Sequence, residues 1–467
     1  MAQDTVFFRN NVSFVIFLGI GILLLLIFSF YIDKIPSMLL FGVLTSIFLI
    51  IGIFLAKNAG DTIRSDPNGV LRAAIEVNNG IYTTFDKVDY THYMATYPNQ
   101  LGLLTLFRIY AAVTTDPEKL FLFQVVFICA SNFLLFQVTH LLFENKRIDN
   151  ITILLSHLFL PSIFYTLWIY GDIPGLFLIL LSLYTYLLYS KYKNLFYLIF
   201  SALFLTLACL IRANYLVFLV LLTLLSLINF LKRPQILSVI ALFIFPLSYG
   251  AMSHVMQNHY ETLIQEKITY PPQKAWVVMG LSDKVASPGY WDGYTTFIRD
   301  WNDYDDVKTK ENVNRDFNER VKVLTSDWEY ALDFFYRKLN VTWNEPTFQS
   351  IFVGPLTAYN QTVETKLLNN LYGEGTLYKL YNRYLSVFIT IVYISCLVFG
   401  ISRLFQKSSD YNFLILIPFI YLIGGFTFHL FWETKSRYVF PYIYFLMPLV
   451  AVTISDFVNK LLKVNSK

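Results

Sequence analysis

The chain has 467 residues, of which 56% are hydrophobic and only 15% charged, and its mean hydropathy is +0.51. A soluble protein of this length has no way to bury so much apolar surface, and the unbroken apolar runs exclude a transmembrane β-barrel, whose strands alternate. The expected fold class is therefore an all-α polytopic membrane protein, in which the placement of the charges says more than the formal net charge of +4.

Apolar runs of spanning length lie at about 13–32, 37–56, 118–143, 150–169, 173–190, 194–212, 214–231, 235–256, 382–404, 411–430 and 438–457. At ~20 apolar residues per crossing they predict about eleven transmembrane helices. The first is expected to be a span and not a cleaved signal, because it is too long and lacks a small-residue cleavage site. The organisation is then an N-terminal membrane region over 1–256, a hydrophilic loop domain over 257–381 and a C-terminal membrane region over 382–467. Every second boundary is basic: Lys146 and Arg147, Lys191 and Lys193, Lys232 and Arg233, Arg403 and Lys407, then Lys460, Lys463 and Lys467. These boundaries belong in the cytoplasm, which puts the N-terminus and both long hydrophilic stretches, 57–117 and 257–381, outside. Cys129, Cys209 and Cys396 fall inside apolar runs and are expected to be buried free thiols.

In the first outer stretch, Asp66 stands about ten residues beyond the second span and is followed by Pro67 and a helical pattern through Ala73, Ala74, Ile75 and Val77. A carboxylate so near a membrane is costly unless it meets water or does chemistry, and it can take a proton from an attacking hydroxyl. The structural alternative is a helix cap by Ser65 or Asp66; Asp61 is the rival acid. Tyr97-Pro98-Asn99-Gln100 then opens a short apolar stretch, Asn99 to Val113, expected to lie as a helix in the outer interface.

Further on, Asp172 occupies a tight turn, Tyr170-Gly-Asp-Ile-Pro174, between two spans; either it only serves the turn, or it points into the same outer cavity as Asp66, as a hydrogen-bond partner for an acceptor or a support for Asp66. Arg212 ends the sixth span on the outer side, against the inside bias. Either it snorkels to lipid phosphate or it grips the phosphate of a bound substrate in bidentate fashion. Arg437 in Phe431–Pro441 raises the same choice, with Glu433 four residues earlier at a spacing that also allows a helical ion pair. Of the loop-domain tryptophans (276, 291, 301, 328 and 343), most are expected to form that domain's core. The six histidines show no metal-site spacing, and no glycine-rich nucleotide cradle is present, so neither a soluble nucleotide-sugar donor nor a nucleic-acid partner is expected.

Taken in order, these residues resemble the GT-C superfamily of integral-membrane glycosyltransferases. Within it they are most similar to the polyprenyl-phosphate-sugar-dependent branch that includes the aminoarabinose transferases and protein O-mannosyltransferases. Asp66, Ala74 and Gly80 fit that branch's acid and following helix, although Pro67 stands where a second acid is usual. Tyr97-Pro98-Asn99 and Asp172-Ile173-Pro174 match its next two elements. Arg212 matches a basic residue that contacts donor phosphate, and Glu433-x-x-x-Arg437-Tyr438 with Pro441 resembles a segment of bacterial members. Trp276 to Leu281 with Gly289 looks like Gram-positive members that decorate cell-wall polymers.

The resemblance implies a GT-C-like bundle in the plasma membrane with its active site facing outside, an interfacial helix in the first outer loop and a large outer loop domain. It implies transfer of a sugar from a polyprenyl-phosphate (undecaprenyl-phosphate) donor to an extracytoplasmic glycan, such as a cell-wall polysaccharide or teichoic acid. The transfer would be an inverting displacement with Asp66 as general base and Asp172 beside it. Arg212 and Arg437 would hold the donor phosphate, and Glu433, Tyr438, Tyr97 and Asn99 would line the substrate site. No cofactor is needed for a donor already on lipid; a divalent metal serves some members of the superfamily, and no ligand set for one is visible. The implied partners are this donor, the acceptor, membrane lipids and a companion enzyme that loads sugar onto polyprenyl phosphate. The rival readings are a flippase or exporter of lipid-linked saccharide, which needs no carboxylate base in the first outer loop, and a polymerase or ligase of cell-wall polymer, which shares the donor.

Overall fold

A computed structural model describes residues 12–60, 63–87, 92–232, 234–355, 365–404 and 413–465, and the described residues are helical with no strand. In chain order the helices begin with α1 (Val12–Tyr31), α2 (Ser37–Asn58), α3 (Ser65–Asn78), α4 (Tyr93–Thr96), α5 (Leu101–Val113), α6 (Pro117–Phe143) and α7 (Lys146–Leu158). Next come α8 (Pro161–Phe164), α9 (Asp172–Tyr192), α10 (Leu195–Ile211), α11 (Leu216–Lys232), α12 (Ile236–Ile264), α13 (Lys274–Gly280) and α14 (Tyr294–Asp300). The last seven are α15 (Asp306–Ser326), α16 (Trp328–Trp343), α17 (Lys366–Tyr372), α18 (Thr376–Leu404), α19 (Ile417–Phe431), α20 (Ser436–Phe445) and α21 (Met447–Asn465).

Eight of the described helices are long and apolar enough to cross a membrane: α1, α2, α6, α9, α11, α12, α18 and α19, some with a short flanking turn. Two further apolar stretches are broken. Helix α7 meets the segment from Pro161 at 46°, where Pro161 ends regular helix, and α20 meets α21 at 45°. The runs read as continuous over 150–169 and 438–457 are therefore kinked. Helix α10 is apolar but shorter, at 17 residues. Helix α1 stands at the periphery beside α18 and α21 with only Ser29 buried. Cys129, Cys209 and Cys396 are free thiols; Cys209 and Cys396 are buried, whereas Cys129 is only half-buried, which departs from the expectation for it.

The charges sort the two ends of the bundle. At one end Arg147 Nη2 pairs with Asp33 Oδ2 at 2.7 Å and Lys191 Nζ with Glu144 Oε1 at 3.1 Å, which gathers the turns after α1, α6 and α9. At the other end the two long hydrophilic stretches meet each other. Lys87 pairs with Glu266 at 2.8 Å, Arg299 donates to the carbonyl of Ala95 at 3.2 Å, and Arg64 donates to the carbonyls of Phe352 and Gly354.

The second hydrophilic stretch divides in two. Helices α13, α14 and α15 share a small cluster of their own, built on Ala275, Val278, Met279, Tyr294, Ile298 and Val313. Trp343, Phe348, Ile351, Val353 and Leu368 instead join the main core of the bundle. The tryptophans do not form the loop core that their number suggests. Trp291, Trp301 and Trp328 are exposed and Trp343 belongs to the bundle; Trp276 alone of the five packs on the small cluster. An indole carries a polar N–H and is stable at a wet boundary, so its apolar bulk does not by itself dictate burial.

Candidate active site

The site is built at the end where the long stretches meet. Helix α3 starts it. Arg64, held by the 352–354 carbonyls, ends the preceding chain, and Ser65 then adopts a left-handed backbone, φ +53°, before the helix turns. A non-glycine residue there costs on the order of 1 kcal/mol or more, so surrounding contacts hold it in place. Neither Ser65 nor Asp66 caps the helix with its side chain. Among the described residues Asp66 accepts no hydrogen bond, and it is only half-buried, so its carboxylate is open to a ligand. It lies within electrostatic reach of Tyr93, Tyr97, Tyr170, Lys435 and Arg437. The rival Asp61 lies outside the described residues.

The turn before α9 supplies the centre. A Cβ on Gly171 would come within 2.7 Å of the Ile211 carbonyl, and one on Gly175 within 2.1 Å of the Tyr215 ring. These two hydrogen-only positions let the α10–α11 junction close onto the turn, and Arg212 arrives beside Asp172. Arg212 Nε pairs with Asp172 Oδ1 at 3.1 Å, Trp168 Nε1 donates to Oδ2 at 2.9 Å, and Tyr215 donates its hydroxyl to the Asp172 carbonyl. Arg437 Nε approaches Oδ2 at 3.8 Å. Asp172 is thus an anion shared by two arginines, and it is fully engaged.

Both guanidiniums sit against the same aromatic rings. Arg212 lies 4.9 Å from the Tyr170 ring and 4.8 Å from that of Tyr438; Arg437 lies 5.7 and 5.5 Å from the same two, and 4.3 Å from Trp168. This packing rules out an Arg212 side chain that snorkels freely into lipid. Among the described residues Arg212 Nη2 is buried without an acceptor, and Arg437 Nε is buried with no hydrogen bond but 3.8 Å from the Asp172 carboxylate. Buried donors are normally satisfied, so the unpaired Arg212 N–H calls for an acceptor, next to a second guanidinium on the same Asp172.

Glu433 and Lys435 complete the cluster from the segment before α20. Because α20 begins only at Ser436, Glu433 is outside the helix, and among the described residues no ion pair joins it to Arg437; the helical pair allowed by the spacing does not form. Glu433 accepts instead from the Tyr438 hydroxyl at 3.3 Å. Burial pushes the Glu433 carboxyl above its ordinary range, against the pull of Lys435, Arg212 and Arg437. Burial likewise holds Lys435 below the ordinary lysine range. Burial disfavours the charged form of both Glu433 and Lys435, which leaves Arg212 and Arg437 facing Asp172 and Asp66.

Tyr97 lies within the cluster, and burial followed by the Asp66 charge pushes its hydroxyl up. Asn99 does not join it: the side chain is exposed and makes no hydrogen bond among the described residues. The helix after it, α5, packs on α3 and α10 by the face of Leu101, Leu103, Leu104 and Phe107. Tyr93, Gln100, Trp168, Tyr170 and Lys435 are site residues that the sequence did not single out. Tyr170 donates to Gln100 Oε1 at 2.7 Å, and Gln100 Nε2 donates to the Tyr93 hydroxyl at 3.3 Å, a chain that lines the approach to Asp66.

The acids do not make a metal-ligand set. Asp172 is committed to two guanidiniums, and Glu433 sits beside Lys435 and the same arginines. Among the described residues no three His, Cys, Asp or Glu side chains are grouped to hold a metal ion. Comparisons of the chain with models of known protein families, with curated proteins and with solved structures each found no match.

Proposed function

We propose that the protein is a membrane glycosyltransferase of GT-C type that moves a sugar from a polyprenyl-phosphate donor to a glycan acceptor. The observation that carries this reading is the pair of arginines on Asp172, one with a buried N–H that lacks an acceptor, within electrostatic reach of Asp66, whose carboxylate accepts no hydrogen bond among the described residues. A phosphate would give the Arg212 N–H its acceptor and pair with both guanidiniums. An acceptor hydroxyl near Asp66 would lose its proton to that carboxylate as its oxygen attacks the anomeric carbon. The bond from that carbon to the phosphate oxygen then breaks, and its electron pair stays on the polyprenyl phosphate, where the two guanidiniums stabilise the growing charge. Asp172 touches neither reacting group in this scheme; it orients the arginines.

The finer architecture belongs to the same reading. The eight long helices, the two kinked pairs and α10 supply eleven apolar segments, with α3 and α5 as the first outer loop. The reading places the site outside the plasma membrane, with a companion enzyme supplying the loaded donor.

The test is transfer from a polyprenyl-phosphate sugar in proteoliposomes. Asp66→Asn is expected to lower turnover by about 10²–10⁴-fold while the protein stays monodisperse. Near-normal turnover of Asp66→Asn with loss in Asp61→Asn would move the base to Asp61, and full activity in both would sink the transferase reading.

A further inference from the structure

Helix α16 carries an apolar face that is largely uncovered among the described residues. Trp328, Leu332 and Tyr336 are 68%, 60% and 68% exposed. They recur every four residues, which at 3.6 residues per turn gathers them within about 80° of one another; half-buried Phe335 and Leu339 border this stripe where it meets the bundle. The opposite side is occupied. Phe334 is buried, Arg337 bonds Asp283 and Asp333, and the Tyr330 hydroxyl donates to Asp283. The helix is thus fixed on the loop domain, and the stripe points away from it.

The same stripe is continuous with the apolar exterior of the bundle. At its C-terminal end Trp343 packs on Phe426 of α19 at 5.7 Å, and one span of helix earlier Phe335 meets Phe431, the last residue of α19, at 6.4 Å. Ile423, Phe426 and Phe431 of α19 are themselves exposed on a helix apolar enough to cross a membrane. Helix α16 therefore overhangs the end of α19 and extends its lipid-facing surface. At 1.5 Å per residue, Trp328 lies ~10 Å beyond Phe335 along an oblique axis. The headgroup zone on each side of a bilayer is about 5–8 Å thick. Trp and Tyr are the side chains that settle there.

We propose that the overhanging face of α16 rests in the headgroup region of the bilayer at the site end, docking the loop domain on the lipid surface. Lipid, not another protein, is the occupant argued for, because the stripe continues a lipid-facing span and is built of interfacial aromatics. This holds whether or not the protein transfers sugar.

The experiment uses the full chain in nanodiscs with Cys129, Cys209 and Cys396 replaced. An environment-sensitive fluorophore is attached at Leu332→Cys, or at Lys322→Cys on exposed α15 as the reference. Lipids carrying a nitroxide at the headgroup are expected to quench the Leu332 label at least twofold more than the Lys322 label, and iodide at least twofold less. Absence of nitroxide quenching at Leu332 overturns the proposal. If that absence comes with protection from iodide and cross-linking to a second copy, the face belongs to self-association.

Discussion

At the scale of single residues, Arg212 shows how structure separates two readings that sequence leaves open. A lipid-anchoring arginine needs only a charge on a flexible stem, whereas this one is bonded to Asp172, set between two tyrosine rings and left with one buried N–H unpaired. A lysine has no planar fork to keep Asp172 and grip a phosphate together. Arg212→Lys should therefore weaken transfer, and Arg212→Ala more so. A lost charged hydrogen bond costs roughly 1.5–3 kcal/mol, on the order of ten- to a hundredfold in kcat/KM. Part of the loss should appear in kcat, because charge grows on the phosphate as the bond breaks. Equal kinetics of the Arg, Lys and Gln forms would return Arg212 to an anchoring role. Asp66, Asp172, Arg212, Glu433 and Arg437, which the structure brings to one end, were singled out in the sequence because ionisable residues are rare beside membrane spans; Tyr438 was named only through the family resemblance. Tyr93 and Tyr170 were not, since two tyrosines among 33 carry no contrast.

At the scale of elements, the segment carrying Glu433 and Lys435 is placed by contacts far from it in sequence. Helix α13 lies so close that a Cβ on Gly280 would come within 2.3 Å of the Phe431 oxygen and 2.5 Å of the Glu433 nitrogen. The Glu433 N–H bonds the Trp276 carbonyl at 3.2 Å, and that of Thr434 the Gly289 carbonyl at 2.9 Å. Buried Lys338 donates to the carbonyls of Gly280, Leu430 and Trp432, joining α13, α16 and the end of α19. Burial draws its ammonium down to about 7, while three carbonyls suit its three N–H groups. On the other flank Glu345 accepts from Ser436 at 2.7 Å and from the Thr347 and Gln349 backbone, fixing the start of α20. Gly280→Ala must shift α13 or the 431–433 backbone, and a 1 Å displacement of catalytic groups can cost on the order of a hundredfold. The expected outcome is a large fall in kcat with helicity retained, while Gly250→Ala, where a Cβ meets nothing within 4 Å, is silent. Comparable activity of the two variants would show that the α13 contact does not position the site. The sequence singled out Trp276 to Leu281 with Gly289 but not what they hold, and Lys338 was not legible, because a lone lysine in an amphipathic helix reads as a solvated residue until the carbonyls around it are seen.

At the scale of the whole molecule, two kinds of information agree. Basic clusters in the short connections mark one end, and the structure brings Lys191, Glu144, Arg147 and Asp33 together there. Asp66, Asp172, Arg212 and Glu433 gather at the other, where the two long hydrophilic stretches meet. Periodicity and hydropathy made the long helices legible, since ~20 apolar residues leave little choice. The kinks after α7 and α20 and the divided loop domain depend on tertiary packing, which a hydropathy pattern does not encode. Because Lys and Arg are retained on the cytoplasmic side, the bundle should be oriented with the basic end inside and the site end outside. Single cysteines at Ser65, at Ser326 and at exposed Lys146 test this in a background lacking the three native thiols. An impermeant reagent applied to intact cells is expected to label the first two and spare the third. Labelling at Lys146 with protection at Ser65 and Ser326 would invert the molecule, put Asp66 and the arginines in the cytoplasm and remove the ground for an extracytoplasmic acceptor. Labelling of Ser326 with protection at Ser65 would instead mean that Asp66 is screened by the 352–354 carbonyls that grip Arg64. Permeabilised cells separate that outcome from inversion, because a screened Ser65 stays protected after the membrane is breached.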